Sequence, residues 1–122
     1  MGKKTVIIGA STNPSRYAYL AAGLLKEYKH EIIPLGIKKG EVYGKQILSI
    51  NERPAVNDVD TVTLYIGPRH QPEHYDYILS LKPKRVIFNP GTENEEFEKL
   101  IEQAGTEALE ACTLVLLRSG QY

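Results

Sequence analysis

Short β-branched runs alternate with longer stretches of helical periodicity, and glycine or proline stands at most of the joins. That alternation limits the fold more sharply than anything else in the chain. Strands of about five residues separated by helices of about ten define βαβ units, hence a parallel sheet with right-handed crossovers. Thr5-Val6-Ile7-Ile8 is the first such run and ends at Gly9. Tyr17, Ala21, Leu24, Leu25 and Tyr28 then recur as one helical face. Asn13 or Ser15 suits its cap, and Pro14 suits its first turn. Glu31 to Leu35 reads as the second strand, with Pro34 at its end because proline lacks an amide donor.

Residues 41 to 58 carry the weakest pattern. Ile47, Leu48 and Ile50 suit a short edge strand, and Ser49 to Glu52 suit one helical turn. Regularity resumes with the strand Thr61 to Ile66, closed by Gly67-Pro68. Tyr75, Ile78 and Leu79 mark a short helix before Pro83. Arg85 to Phe88 is a further strand, closed by Asn89-Pro90-Gly91. Thr92-x-x-Glu95 matches a capping box for a helix carrying Phe97, Leu100, Ile101 and Ala104, with Gly105 as its terminator. Thr106 to Glu110 reads as the last strand, and Thr113 to Leu117 as a short helix or strand extension. The expected architecture is α/β: one domain over residues 1–122, a Rossmann-like, doubly wound, mostly parallel sheet of about five strands.

Composition bounds the function. The chain has 122 residues, enough for one core, and its 42% hydrophobic content argues against disorder. Fifteen basic residues balance fifteen acidic ones, which removes the simplest case for nucleic acid or an anionic membrane as partner. A single cysteine excludes an internal disulfide framework and a multi-cysteine zinc site. No apolar run approaches the ~18 residues of a membrane span. The expectation is a soluble cytoplasmic protein that takes a small-molecule ligand. A protein partner or a second copy of the chain stays open.

Ligands in such sheets bind outside the carboxyl ends of the strands, where the strand order reverses. The loop after the first strand reads Gly9-Ala10-Ser11-Thr12-Asn13-Pro14-Ser15-Arg16. It offers a tight turn, short polar donors, a cation and a helix N-terminus that suits phosphate. A G-x-G-x-x-G dinucleotide fingerprint is incomplete, because Ser11 and Pro14 stand where its second and third glycines belong. An NAD ribose also calls for an acid after the second strand. Here Ile37-Lys38-Lys39 follows instead, and these lysines suit a phosphorylated ribose.

The pattern Val6-Ile7-Ile8-Gly9-Ala10-Ser11-x-Asn13-Pro14, then Ile32-Ile33-Pro34 with a following lysine, resembles the stand-alone CoA-binding domain family. That family is similar to the N-terminal domain of the succinyl-CoA synthetase α subunit. Asp60-x-Val62, Gly105 and Cys112 fall where the family has similar residues. The resemblance implies CoA or acyl-CoA as ligand, bound without catalysis. It places Gly9, Ala10, Ser11 and Asn13, with Arg16, at the phosphates or pantetheine. It places Pro34, Lys38 and Lys39 at the adenosine end, and Ile66, Gly67 and Pro68 on the opposite wall. The chain departs from the family at Leu35-Gly36-Ile37, where an Asn-Pro pair is usual, and at Phe88-Asn89-Pro90-Gly91, where Trp-Gln-x-Gly is common.

Two other functions compete. One is an NADP-type nucleotide-binding protein or small reductase component, since a 2′-phosphate also wants lysine. The other is a ligand-free protein-interaction module. His70-Gln71-Pro72-Glu73-His74 matches the zinc-protease pattern H-x-x-E-H, but Pro72 cannot sit inside the helix that pattern needs. Cys112 has no activating base near it in sequence and reads as a structural thiol. Glu93, Glu95, Glu96 and Glu98 read as a solvated face at a helix start. Tyr17 and Tyr19 flank the first loop and read as packing residues.

Overall fold

The β-branched runs become strands buried on both faces, as a parallel sheet covered by helices requires. The computed structural model describes residues 2–122. Its elements are β1 (Thr5–Ile8), α1 (Tyr17–Glu27), β2 (Ile32–Gly36), β3 (Glu41–Val42), β4 (Lys45–Gln46), β5 (Leu48–Ser49), β6 (Thr61–Leu64), α2 (Tyr75–Ser80), β7 (Arg85–Phe88), α3 (Glu95–Gln103), β8 (Glu107–Glu110) and α4 (Thr113–Arg118). The main sheet runs β5-β2-β1-β6-β7-β8 with every pair parallel. This is the doubly wound order, in which the chain builds outward from β1 on one side and then on the other.

Successive residues of each strand feed opposite layers. Val6, Ile8, Val62, Leu64, Val86 and Phe88 pack with Ile78 of α2 and with Phe97 and Ile101 of α3. Ile7 and Ile32 pack with Ala18, Ala22 and Leu25 of α1 and with Leu117 of α4. Phe88 meets Phe97 edge-on at 5.9 Å between ring centroids. Truncating either buried ring is worth ~3–5 kcal/mol.

The sheet has six strands, in keeping with the expected doubly wound, mostly parallel sheet of about five, and β5 comes from the weakly patterned stretch. Several local expectations need correction. Both kinds of element occur in that stretch with shifted bounds: the strand is Leu48–Ser49, without Ile47 and Ile50, and a 3-10 turn over Ile50–Glu52 follows at once. Pro34 lies inside β2 rather than at its end; it is tolerated there because β5 pairs with β2 only from Leu35 onward. Strand β6 stops at Leu64, two residues early. The buried face of α1 is Ala18, Ala21, Ala22 and Leu25, while Tyr17 is 68% and Tyr28 40% exposed. Small residues let α1 sit close to the sheet, and the tyrosines lie off that face. Neither Asn13 nor Ser15 caps α1, whose N-cap is Arg16, without a side-chain bond.

The cap of α3 is Asn94, whose Oδ1 accepts from the Phe97 amide at 3.1 Å. Thr92 is buried and donates to the Asn89 carbonyl instead. The acids of α3 are not a uniform solvated face either. Glu95 pairs with Lys99 at 3.4 Å, and Glu96 accepts from the Tyr75 hydroxyl at 2.9 Å. Glu98 is half-buried and accepts from the Asn94 amide. Burial, reinforced by a hydrogen bond with Glu110 of β8, pushes its pKa up to about 7.

At the amino edge of the sheet, Tyr122 closes a polar cluster. Its hydroxyl bonds Thr5 Oγ1 at 2.5 Å, and its main-chain oxygen accepts from Lys3 Nζ and from Arg85 Nη2. The Arg85 guanidinium lies 4.4 Å from the ring centroid and also donates to Thr61 Oγ1. His30 stacks obliquely on the same ring, and its Nδ1 accepts from the Lys3 amide. Burial first, then Lys3 and Arg85, holds His30 below its ordinary pKa, in keeping with a neutral acceptor ring.

Tyr122→Ala should cost about 2–4 kcal/mol in urea denaturation, and Tyr122→Phe about 1 kcal/mol. Equal costs would show that the ring contributes nothing beyond its hydroxyl. For Glu98, the folded-state pKa lies above the ordinary value of 4.5, so the folded chain holds the proton more tightly. Its stabilisation is present below pH 4.5 and is lost as pH rises through about 7. Glu98→Gln keeps an acceptor for Asn94. The stability difference between variant and wild type should therefore grow across that window, and a flat difference would overturn the assignment.

Candidate functional site

Strand order reverses between β1 and β6, so the loops that leave these two strands flank the crevice of the sheet. The first loop begins at Gly9, at φ +95°, a left-handed conformation that favours glycine. The amides of Gly9 and Ala10 both donate to the Leu35 carbonyl at 2.9 Å, which ties this loop to the end of β2. A Cβ on Gly9 would stand 2.9 Å from Ile66 Cγ2. A Cβ on Gly36 would stand 2.8 Å from the Ala10 carbonyl oxygen. The three loops after β1, β2 and β6 therefore meet around Gly9-Ala10 at contacts that side chains would break.

Ser11 to Ser15 then form a self-bonded turn. Ser11 Oγ accepts from the Asn13 amide at 3.0 Å. Asn13 Oδ1 accepts from both the amide and the hydroxyl of Ser15. These bonds occupy the two residues expected to cap α1 and delay the helix start to Tyr17. Among the described residues, the amides of Ser11, Thr12, Tyr17 and Ala18 donate to no group of the chain. Two unbonded amides thus follow Ala10, and two more stand at the first turn of α1. Arg16 is exposed beside them.

The loop after β2 carries Gly36, then Ile37, which is 79% exposed, then Lys38 and Lys39, both exposed. Gly40 returns against the first loop, where a Cβ would meet Thr12 Cγ2. Pro34 is buried in mid-strand, two residues short of the rim. Across the crevice, Ile66 and Gly67 are half-buried and Pro68 is exposed at the start of a 3-10 turn, Pro68–His70. A Cβ on Gly67 would meet nothing within 4 Å, so this wall is open.

Below the crevice lies a buried polar network that the sequence did not reveal. Asn89, 2% exposed, donates through Nδ2 to Thr63 Oγ1 and to the Leu64 carbonyl, and accepts through Oδ1 from the Thr113 amide. Gln71, fully buried, donates to the carbonyls of Ile66 and Thr92 and accepts from Asn94 Nδ2. These amides hold the loops after β6 and β7 together. Asn89 read only as part of a turn, and nothing in sequence distinguishes Gln71. The Tyr65 hydroxyl is buried beside Thr63 and Thr113 without a hydrogen bond of good geometry, and burial pushes its pKa far up.

The other chemistry-bearing residues are dispersed. Pro72 splits His70 and His74 onto successive 3-10 turns, so they share no helical face. His74 is buried, which lowers its pKa, and Glu73 stands 3.8 Å from its Nε2. Cys112 is half-buried at the start of α4. Tyr19 is half-buried against Tyr43. A basin of about 910 Å³ lies at the opposite, amino edge of the sheet, lined by Lys3, Lys4, Asp58, Asp60, Lys82 and Lys84 among others. It mixes charges of both signs and lies at the amino ends of the strands, whereas a doubly wound sheet takes its ligand at their carboxyl ends. The reversal point, not this basin, therefore marks the candidate site.

No helix among the described residues is long and apolar enough to cross a membrane. No curated protein matches the chain. A crystal structure of an uncharacterized protein is 59% identical, with a TM-score of 0.96, covering 100% of this chain and 99% of that one. A hypothetical protein from Pyrococcus horikoshii OT3 is 26% identical, with a TM-score of 0.83, covering 97% and 83%. The cell-free protein ID.343 from Thermus thermophilus, 23% identical, has a TM-score of 0.83 over 99% and 91% and shares the fold. A family model described as CoA binding domain matches residues 3–118. With that match spanning nearly the whole Rossmann-like sheet and its first loop, the chain belongs to the CoA-binding domain family.

Proposed function

We propose that the protein binds CoA or an acyl-CoA at the carboxyl edge of the sheet and does no chemistry of its own. The observation that carries this reading is the set of unbonded amides at Ser11, Thr12, Tyr17 and Ala18, at the reversal point of the strands. Main-chain donors and a helix N-terminus suit a diphosphate, because they supply fixed positive dipoles without reorganisation. The Ser11 oxygen already accepts, which leaves its O–H to donate. Arg16 adds the neutralising cation. Gly9 and Ala10 allow the close approach, while Asn13 shapes the loop rather than reaching the ligand. Pro34 backs the site from within β2. Lys38 and Lys39 stand at the adenosine end, where a 3′-phosphate needs them, and Ile66, Gly67 and Pro68 form the facing wall.

The lysines also favour a second reading, an NADP-type nucleotide. Against it stands Ser11, whose side chain occupies the position where a dinucleotide fold brings bare glycine backbone to the pyrophosphate.

Calorimetric titration with CoA, dephospho-CoA and NADPH separates these readings. CoA should saturate the protein in preference to NADPH. Changing Lys38 and Lys39 together to Glu should weaken CoA by ~10–100-fold, a tenfold change being worth about 1.4 kcal/mol. Dephospho-CoA should change by less than ~3-fold, since it lacks the charge that the lysines meet. Equal loss for both ligands would overturn the 3′-phosphate assignment, and stronger binding of NADPH would install the second reading.

A further inference from the structure

A two-stranded hairpin with a two-residue turn is marginal by itself. Strands β3 and β4 form such a hairpin outside the main sheet, pairing Glu41 with Gln46 and Val42 with Lys45. Its turn is Tyr43-Gly44, with both residues at positive φ, +48° and +82°. A tyrosine is an unfavourable choice there, because left-handed backbone suits glycine and asparagine. The hairpin is held from outside. Val42 is buried in the cluster that joins α1 to the sheet. The Tyr43 ring lies 5.0 Å from the Tyr19 ring. Lys26 Nζ donates to the Tyr43 carbonyl at 2.7 Å. Between those contacts, the ring sits over Gly23, where a Cβ would stand 2.6 Å from Tyr43 Cζ. Glycine in a helix interior is itself an unfavourable choice. Two locally poor residues, Tyr43 and Gly23, thus meet in one contact. Such coincidences mark positions where local stability yields to a placement requirement.

The hairpin held in this way adjoins the turn that carries the lysines. The segment from Gly36 to Gly40 is strung between the end of β2 and the start of the hairpin. The Ile47 amide donates to the Gly40 carbonyl at 2.8 Å, Ile47 packs beneath Gly36, and Gly40 abuts Thr12 of the first loop. Ile37, Lys38 and Lys39 themselves are exposed. Their position is set by the two ends of the segment, and the hairpin fixes one end.

We propose that Tyr43, seated on Gly23 of α1, is a positioning residue that holds the Lys38-Lys39 turn against the first loop and thereby sets selection for a phosphorylated adenosine end. The selection half rests on the CoA reading given above; the clamp half does not.

The test uses Tyr43→Ala, Tyr43→Phe and Gly23→Ala in the full chain. Gly23→Ala improves helix propensity while its methyl occupies the ring's seat, so it separates positioning from stability. Amide hydrogen exchange of Ile47, whose amide donates to the Gly40 carbonyl, reads the clamp in the free protein. Exchange should rise about tenfold in Tyr43→Ala and in Gly23→Ala, reflecting local opening, and stay at the wild-type rate in Tyr43→Phe. Melting temperature should not fall in Gly23→Ala. Unchanged exchange in both alanine variants overturns the clamp. Calorimetry with CoA and dephospho-CoA reads selection. The preference for CoA should fall about tenfold in the two alanine variants, with dephospho-CoA affinity kept within ~3-fold. A preference that survives raised exchange overturns the selection half. Wild-type protein that binds the two ligands equally overturns the assignment of the lysines, a failure read without any variant.

Discussion

The carbonyl of Leu35 accepts two hydrogen bonds, from Gly9 and from Ala10. That forked contact fixes how the first loop leaves β1, and much of the carboxyl edge depends on it. It draws Ala10 so close to the end of β2 that only glycine fits at position 36. It turns the chain at Gly9 into a conformation that side chains resist, beside Ile66 of the neighbouring loop. It leaves the next two amides without partners inside the chain. The ligand reading begins with those amides, and their orientation follows from the backbone rather than from any side chain.

The sheet was legible because its signal is collective. Thr5–Ile8, Thr61–Leu64 and Arg85–Phe88 are short and rich in β-branched or aromatic residues, with glycine, proline or asparagine within three residues of each, and each forms a strand buried throughout. The helices were legible in existence but less so in face and start. Tyr17 and Tyr28 share the spacing of Ala21 and Leu25, yet only the latter two lie on the buried face, which Ala18 and Ala22 complete, because a helix lying close to a sheet prefers small residues there. Asn13 looked like a cap and instead bonded Ser15; Thr92 looked like a cap and instead bonded Asn89. Short polar side chains have several near partners, and tertiary packing decides among them.

The site divides along the same line. That Gly9, Ser11, Lys38, Lys39 and Gly67 lie on the loops at the carboxyl edge could be anticipated, because a doubly wound fold states in advance where its crevice lies. Gln71, Asn89 and Asn94 could not, since their bonds join segments distant in sequence and leave no periodic trace. The role of Gly36 was visible only as a departure from the family pattern. The structure supplies its reason, the carbonyl of Ala10 directly above it.

The two edges of the main sheet end the sequence of pairings in different ways. At one, β5 contributes only Leu48 and Ser49 to the ladder. At the other, β8 begins and ends in exposed glutamates, Glu107 and Glu110. Parallel sheets have unpaired rows of main-chain donors and acceptors at both margins, and such rows template aggregation. Here one margin is too short to template a strand. The other would bring carboxylates together if a second copy aligned antiparallel to it. The chain thus carries protection against fibre-like growth in the lengths and end residues of its outermost strands, although its net charge of zero offers little colloidal repulsion.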